Sequence, residues 1–374
     1  MPLVVWICIG LVTVFFAIQL VSFFVIFRED SKPVKKFKEQ PRISLLLAAR
    51  NEEKLIIRSL TAIANLNYPK DKLEVLIGND DSSDRTAEMV ENFIAQHSNF
   101  QLINIHENMG KGRGKANVLA HLAHKATGEF YFITDVDVLL PKEWINVLLA
   151  QFDSEVGIVS GTTTCQAQSS LFSKMQSIDW LHFMGYIQSF ANMGVACTSV
   201  GNNMAVRAKA YWQTGGYENI DFSITEDYKL FKEVTRNGWQ WRTIFTTDSL
   251  GLASHIDTVL EMLHQRKRWL IGARELPLNW KFLIILYGLF TPALLVLAIF
   301  NPMLALGIWF TKYAIQSLYI QSLFLLMKLQ KPSLWQLFQY DVYVQINTLA
   351  TAIFYFLPIK SVWKERTYDA KYLE

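Results

Sequence analysis

Asp135 and Asp137, two carboxylates one residue apart, close the apolar run FYFIT (130–134) and are followed by Pro141. On an extended segment, side chains two apart point the same way. Both carboxylates would therefore face one side at a strand's carboxyl end. Hard oxygen ligands so placed suit Mg²⁺ or Mn²⁺, ions that keep places free for phosphate oxygens. A solvated turn could use the same residues, but the strand ahead and the proline behind favour metal chemistry.

Asn79-Asp80-Asp81-Ser82-Ser83-Asp84 follows a second apolar run. An acid at such a strand end can accept from a base N–H or a ribose hydroxyl. Asp84 or Ser83 suffices to cap the helix behind it, which leaves Asp80 for a ligand. The first run ends in Ala48-Ala49-Arg50-Asn51-Glu52-Glu53. Small residues there let a nucleotide approach the backbone, which makes Ala49, Arg50 and Glu52 candidate donor contacts.

Gly110-Lys111-Gly112-Arg113-Gly114-Lys115 is glycine-rich and basic but lacks GxxxxGK spacing and a Ser or Thr after Lys115. It is not a P-loop, yet it suits contact with a diphosphate. Thr225-Glu226-Asp227 precedes a helical stretch. Thr225 could simply cap that helix, its acids favoured by the dipole. Alternatively one carboxylate is a general base toward an incoming hydroxyl. Gln265-Arg266-Lys267-Arg268-Trp269 joins cations to an aromatic ring. It reads either as an interfacial snorkelling helix or as a site where Arg268 stabilises a leaving pyrophosphate and Trp269 stacks on a sugar.

The elements that must position these groups are legible from periodicity. Residues 43–49, 73–79, 101–106, 130–135 and 156–161 read as buried strands. Helical stretches at 53–65, 84–97, 115–125 and 141–151 lie between them. Strand and helix alternating in this way imply a mostly parallel α/β sheet, with ligands beyond the strands' carboxyl ends. Residues 162–250 are mixed in pattern.

The chain has 374 residues, 51% hydrophobic and only 18% charged. That excludes a wholly disordered protein. Thirty-six basic against 33 acidic residues is too near balance for an obligate nucleic-acid binder. Cys8, Cys165 and Cys197 have no metal-site or disulfide spacing and suit a reducing compartment.

Residues 3–27 carry no charge and are long enough to span a bilayer. They lack the basic n-region and cleavage site of a signal peptide. The Lys/Arg-rich stretch 28–42 that follows favours the cytoplasm for what comes next. Residues 258–275 read as a basic amphipathic helix. Further apolar stretches lie at 281–300, 303–327 and, less cleanly, 341–358. The expected organisation is an anchor (1–28), a catalytic domain (40–255), an interfacial helix (256–280), a membrane region (281–358) and a basic tail (359–374).

In order, ARNEE, NDDSSD, the Lys115 loop, TDVD, GNNMAVR (201–207), GGY (215–217), TED and QRKRW resemble the membrane-integrated family-2 glycosyltransferases of GT-A fold. That group holds cellulose, chitin and hyaluronan synthases and ceramide glucosyltransferase. The resemblance covers about residues 40–280. NDDSSD departs from the group's DDGSTD, and KANVLA (115–120) from its KAGNxN.

The resemblance implies a GT-A domain, Rossmann-like and cytoplasmic, flanked by transmembrane helices. It implies inverting transfer from a UDP-sugar, with Mg²⁺ or Mn²⁺ as cofactor. Asp80 would contact the uracil and Lys115 the diphosphate. Asp135 and Asp137 would hold the metal–nucleotide complex, Asp137 as metal ligand. Asp227 would be the base with Glu226 beside it, and Gln265, Arg268 and Trp269 would line the pyrophosphate and acceptor end. His255 reads as a structural histidine or an extra ligand.

The acceptor is membrane-associated: a lipid, which the small number of spans favours, or a growing glycan as in a polysaccharide synthase. The expected location is a bacterial inner membrane with the catalytic domain in the cytoplasm. A degenerate, membrane-tethered interaction protein would have lost carboxylates that this chain retains. A nucleotidyltransferase would share the metal site without needing QRKRW beside a membrane.

Overall fold

The computed structural model describes residues 2–28, 37–363 and 366–368. Lys32, Lys35 and Lys36 of the basic stretch, and half of the basic tail, lie outside the described residues.

Along the chain run α1 (Leu3–Val25), β1 (Ile43–Ala49), α2 (Ile56–Ala64), β2 (Leu73–Asn79), α3 (Thr86–Ile94), β3 (Phe100–Asn104) and α4 (Lys115–Lys125). Next come β4 (Phe130–Asp135), β5 (Val138–Leu139), α5 (Trp144–Leu149), β6 (Val156–Ser160), β7 (Thr162–Cys165) and α6 (Leu171–Ala191). Then follow β8 (Asn203–Arg207), α7 (Ala208–Gln213), α8 (Glu226–Arg236), β9 (Gln240–Thr243) and β10 (Leu250–Ala253). The last helices are α9 (Val259–Ala273), α10 (Leu278–Phe300), α11 (Pro302–Leu326) and α12 (Leu334–Phe356), before a short ribbon of Ser361–Trp363 and Arg366–Tyr368.

Two compact units divide the chain. One holds residues 30–166, 198–254 and 362–374, the other 1–29, 167–197 and 255–361. The first is built on a seven-stranded sheet of order β3-β2-β1-β4-β8-β6-β9. β1 pairs in parallel with β2 and β4, β2 with β3, and β6 with β9. β8 runs antiparallel between β4 and β6. The sheet is thus mostly parallel, as the sequence pattern requires, with one reversed strand in the stretch whose pattern was mixed. β1, β2, β4, β6 and β8 are buried because helices cover the sheet, which is why β1, β2, β4 and β6 read as continuous apolar runs. The edge strands β3 and β9 are only partly buried, so β3 is not the buried strand its pattern suggests. The core of this unit gathers Leu45, Leu47, Val75, Phe132, Trp144 and Val159. A three-stranded sheet, β5-β10-β7, adds to this unit.

The second unit is helical. Two of its helices, α1 and α10, are long and apolar enough to cross a membrane, with mean hydropathies of 2.6 and 2.5. Phe15 of α1 packs on Phe290 of α10 at 4.5 Å between ring centroids. α6 joins this unit: Ser189 Oγ donates to Ser22 O at 3.0 Å, and Asn192 Nδ2 to Val25 O at 3.0 Å. α11 and α12 carry a buried ion pair, Lys312 with Asp341. Trp309 Nε1 and Gln345 Nε2 also donate to Asp341 Oδ2, at 2.9 and 2.7 Å.

Candidate functional site

The carboxyl ends of β1, β2 and β4 meet by register: Ala49 lies beside Asn79, Ala48 beside Asp135. β8 starts on the same edge, Asn203 beside Thr134. Four segments therefore deliver their end residues to one place.

Behind β1 and β2 the backbone turns through the left-handed region at Asn51 (φ 50°) and Asp81 (φ 53°). Both types tolerate it because a short polar side chain can bond locally. Asn51 Oδ1 accepts from Ser83 N at 2.9 Å, and Ser82 Oγ from Asn51 N at 3.1 Å. Arg50 Nη1 donates to Asp80 O at 2.6 Å. Asp84 accepts from Thr86 N at 2.9 Å and from Glu53 N at 3.0 Å. Asp84 thus holds the first N–H of α3 from one residue ahead of the N-cap, Arg85, and the buried Asp80 is not needed for that. Arg50 acts here through the loop that carries Asp80.

The basic loop separates into parts with different partners. Lys111 Nζ pairs with Asp221 at 2.7 Å. Arg113 Nη1 donates to Gly110 O and Gly112 O at 3.0 and 2.6 Å. Only Lys115, the first residue of α4, reaches the acidic cluster. Its ammonium lies 2.5 Å from Asp135 and 3.2 Å from Glu226, and donates to Gly201 O at 3.2 Å. Burial alone would lower the Lys115 pKa. The carboxylates of Asp135 and Glu226 outweigh it and hold the ammonium well above the usual lysine range.

Thr225 does not cap α8 with its side chain; its hydroxyl meets Ser223 Oγ at 3.2 Å. The two acids behind it are turned inward instead. Asp227 accepts from Gly201 N through Oδ2 and from Tyr228 N through Oδ1, both at 2.8 Å. Burial raises the pKa of Asp227, against the lowering effect of Lys115 and these N–H donors. Burial likewise raises that of Glu226, and the charge on Asp227 adds to it. Two neighbouring carboxylates pushed upward are suited to proton transfer nearer neutral pH.

Asp135 and Asp137 are both partly exposed at the end of β4. The Asp137 carbonyl is held by Ser254 N at 3.0 Å and Arg58 Nη2 at 3.3 Å. Among the described residues no group of three or more His, Cys, Asp or Glu is gathered that could hold a metal ion. Two carboxylates at a strand end fit a hard cation that takes its remaining ligands from water and phosphate.

Three residues emerge that carry no assigned role in the sequence. Gly201 contacts Asp227. Asn203 is fully buried, accepting from Trp144 Nε1 at 2.7 Å and donating to Thr162 O and Ser249 O at 2.7 and 2.8 Å. Tyr217 lies buried after two glycines. GNNMAVR and GGY hold all three, but only as segments of a pattern.

QRKRW lies in α9 of the helical unit. Within that unit Arg266 pairs with Asp179 and sits 4.4 Å over the Trp269 ring. Lys267 donates to Leu357 O at 2.8 Å, and Trp269 meets Trp180 edge-on at 5.3 Å. His255 lies 3.2 Å from Asp257.

Compared with known proteins, the chain matches glycosyl transferase family 21 over residues 3–372. It is 28% identical over 250 residues to a Bacillus subtilis protein named probable glycosyltransferase YdaM, covering 66% of this chain and 58% of that one. It is 27% identical over 239 residues to the poly-β-1,6-N-acetyl-D-glucosamine synthase of Staphylococcus epidermidis, covering 63% and 56%. The chain thus spans less than two thirds of the length of the curated relatives it matches. In structure it is similar to the mannosyltransferase PcManGT from Pyrobaculum calidifontis, solved with GDP-Man and Mn²⁺. The TM-score is 0.66 at 21% identity, covering 94% of this chain and 99% of that one, which supports a shared GT-A fold. The chain belongs to glycosyl transferase family 21; the family number differs from the one its motifs resemble.

Proposed function

We propose that this family 21 glycosyltransferase moves a sugar from a UDP-sugar, with inversion, to a membrane-associated lipid at the cytoplasmic face. The observation that carries the reading is the placing of Lys115 between Asp135 and Glu226, with Asp227 oriented by Gly201. One cation thus links the strand end suited to a donor phosphate with the helix start suited to a base.

Asp227, ionised and held through both oxygens, takes the proton from the acceptor hydroxyl. That oxygen forms a bond to the anomeric carbon while the bond to UDP breaks on the opposite face, and UDP leaves with the electron pair. Lys115 is placed to stabilise the charge that builds on the departing diphosphate. Asp135 and Asp137 would hold a divalent cation, which when bound neutralises phosphate charge. Asp80 and the turn at Arg50, Asn51 and Glu52 suit the nucleoside, Asp80 accepting from the uracil. Gln265, Arg268 and Trp269 are proposed for the pyrophosphate and acceptor end.

Among the described residues two helices are long and apolar enough to span, which supports a lipid acceptor. Extension of a glycan chain is the second reading, favoured by the relatives named as polysaccharide synthases.

The test uses membranes from cells making the protein or its Asp227→Asn variant. These receive labelled UDP-glucose, UDP-galactose, UDP-N-acetylglucosamine, UDP-glucuronate or GDP-mannose, with Mn²⁺ or Mg²⁺. Asp227-dependent label from a UDP-sugar in the organic phase is expected. Label in large water-soluble material would favour the glycan reading, and label from GDP-mannose alone would overturn the UDP assignment.

A further inference from the structure

α4 begins without the ordinary support of a helix start. Its N-cap is Gly114, at φ 55°, no side chain caps its first N–H groups, and no acidic residue stands in its first turn. Helix ends left so tend to fray. Yet the first residue of this helix is Lys115, whose ammonium stands 2.5 Å from Asp135 and 3.2 Å from Glu226. A lysine side chain is long and flexible, so its head is placed only as firmly as the backbone that carries it.

The support comes from inside the helix. Asn117 is 3% exposed and reaches back along the chain with both ends of its amide. Oδ1 accepts from Met109 N at 2.7 Å, and Nδ2 donates to Glu107 O at 2.9 Å. His121, one turn further on, brings Nε2 to 3.2 Å from the same oxygen. Gly112, in the loop between, comes so close that a Cβ added to it would lie 3.1 Å from Asn117 Cα. The far side of the loop is tied as well, Lys111 N donating to Glu218 O at 2.7 Å. Asparagine is a poor residue for a helix interior because its amide competes for backbone groups. Here that amide is directed at the loop leading into Lys115, and not at α4 itself.

We propose that Asn117 is the positioning residue of Lys115. By tying the first turn of α4 to Glu107 and Met109, it fixes the ammonium between the end of β4 and the start of α8. This builds on the proposed action of Lys115 toward the departing diphosphate, and the test separates the two.

The full chain is purified in detergent as wild type, as Asn117→Leu, which keeps the branched shape and removes both bonds, and as Asn117→Ala. Amine acetylation followed by mass spectrometry reads the reactivity of each lysine. Only the neutral amine reacts, so carboxylate contacts keep a held lysine slow. Lys115, its side chain 14% exposed, should react roughly tenfold faster in the variants, the weight of one to two hydrogen bonds. Lys111, 60% exposed, and the buried Lys312 should keep their wild-type rates, which a general loosening of the fold would not allow. Turnover from the UDP-sugar that wild type uses should fall about 10²-fold in Asn117→Leu. It should fall no further when Lys115→Gln is already present, whereas damage to the fold would add in both backgrounds.

Unchanged reactivity of Lys115 would overturn the proposal. An additive loss of turnover, or failure of both variants to fold, would overturn it as well, since each makes Asn117 a residue of the fold alone. Faster labelling of Lys115 beside a Lys115→Gln variant of wild-type turnover would bear out the positioning while sinking the role of Lys115 in transfer.

Discussion

Gly201 lies against Asp227 with no room for a side chain. Its N–H donates to Asp227 Oδ2 at 2.8 Å, and a Cβ added to it would come 2.8 Å from Asp227 Cβ and 2.9 Å from Oδ2. The glycine sits two residues before β8, the one reversed strand of the sheet. That strand's direction is what brings the backbone N–H to the first turn of α8.

Gly201→Ala should therefore displace the Asp227 carboxylate while leaving the nucleotide end of the site in place. Misplacing a reacting group by about 1 Å costs roughly 10²-fold in rate. Steady-state kinetics should show kcat down by about that factor, with UDP affinity nearly unchanged. A variant with wild-type kcat would show that Asp227 does not depend on this contact.

Asp227→Asn and Asp137→Ala should fail differently. The amide keeps the size of Asp227 but cannot accept the acceptor's proton, so transfer should fall by about 10²–10⁴ with UDP-sugar binding largely intact. Asp137→Ala removes a carboxylate from the strand end suited to a cation, and UDP affinity in Mn²⁺ should drop roughly tenfold or more. Calorimetric titration with and without metal separates the two. If both variants lost only turnover, Asp137 would not be a metal ligand.

The strand ends that carry these carboxylates were legible because each is an unbroken apolar run, buried on both faces. β1, β2 and β4 span the residues that pattern gives. α4 likewise begins at Lys115 and ends at Lys125. Two things were not legible. The reversal of β8 has no signature in NMAVR, since strand direction is set by the connection and by packing rather than by residue type. The grouping of Ala167–Cys197 with the apolar helices was equally hidden, because α6 buries polar residues such as His182, Gln176 and Ser189 and so lacks a clean apolar stripe. For the proposed site, residue type points to Asp80, Asp135, Asp137 and Asp227 as candidates. It could not reveal Gly201, whose place follows from its close approach to Asp227.

The acidic limb of kcat/KM should lie above the ordinary carboxylate range of about 4, because burial raises both Asp227 and Glu226. Activity should rise with pH through that limb as the base ionises, and the limb belongs to the pair rather than to either residue. Lys115 opposes the rise in both, so Lys115→Gln should move the limb to still higher pH. Stability runs the opposite way. The folded state holds these protons more tightly than the unfolded chain, so their contribution is present at acid pH and lost as pH rises through the raised values. pH–rate profiles of wild type and Lys115→Gln decide it; a limb that moved down would contradict the placing of Lys115.

In the helical unit, Lys312 is 2% exposed and Asp341 fully buried, each the other's counter-ion. Removing one partner of such a pair strands a charge where no water reaches it, at a cost of about 3–5 kcal/mol. Lys312→Met should therefore lower thermal stability sharply in detergent or lipid nanodiscs. Trp309 and Gln345 also donate to Asp341, and an amide oxygen can still accept from both. Lys312→Met combined with Asp341→Asn should then regain most of the loss, since no unpaired charge remains. A double variant no more stable than the single one would mean that Lys312 contributes through packing, such as its approach of 5.8 Å to the Phe290 ring, rather than through charge.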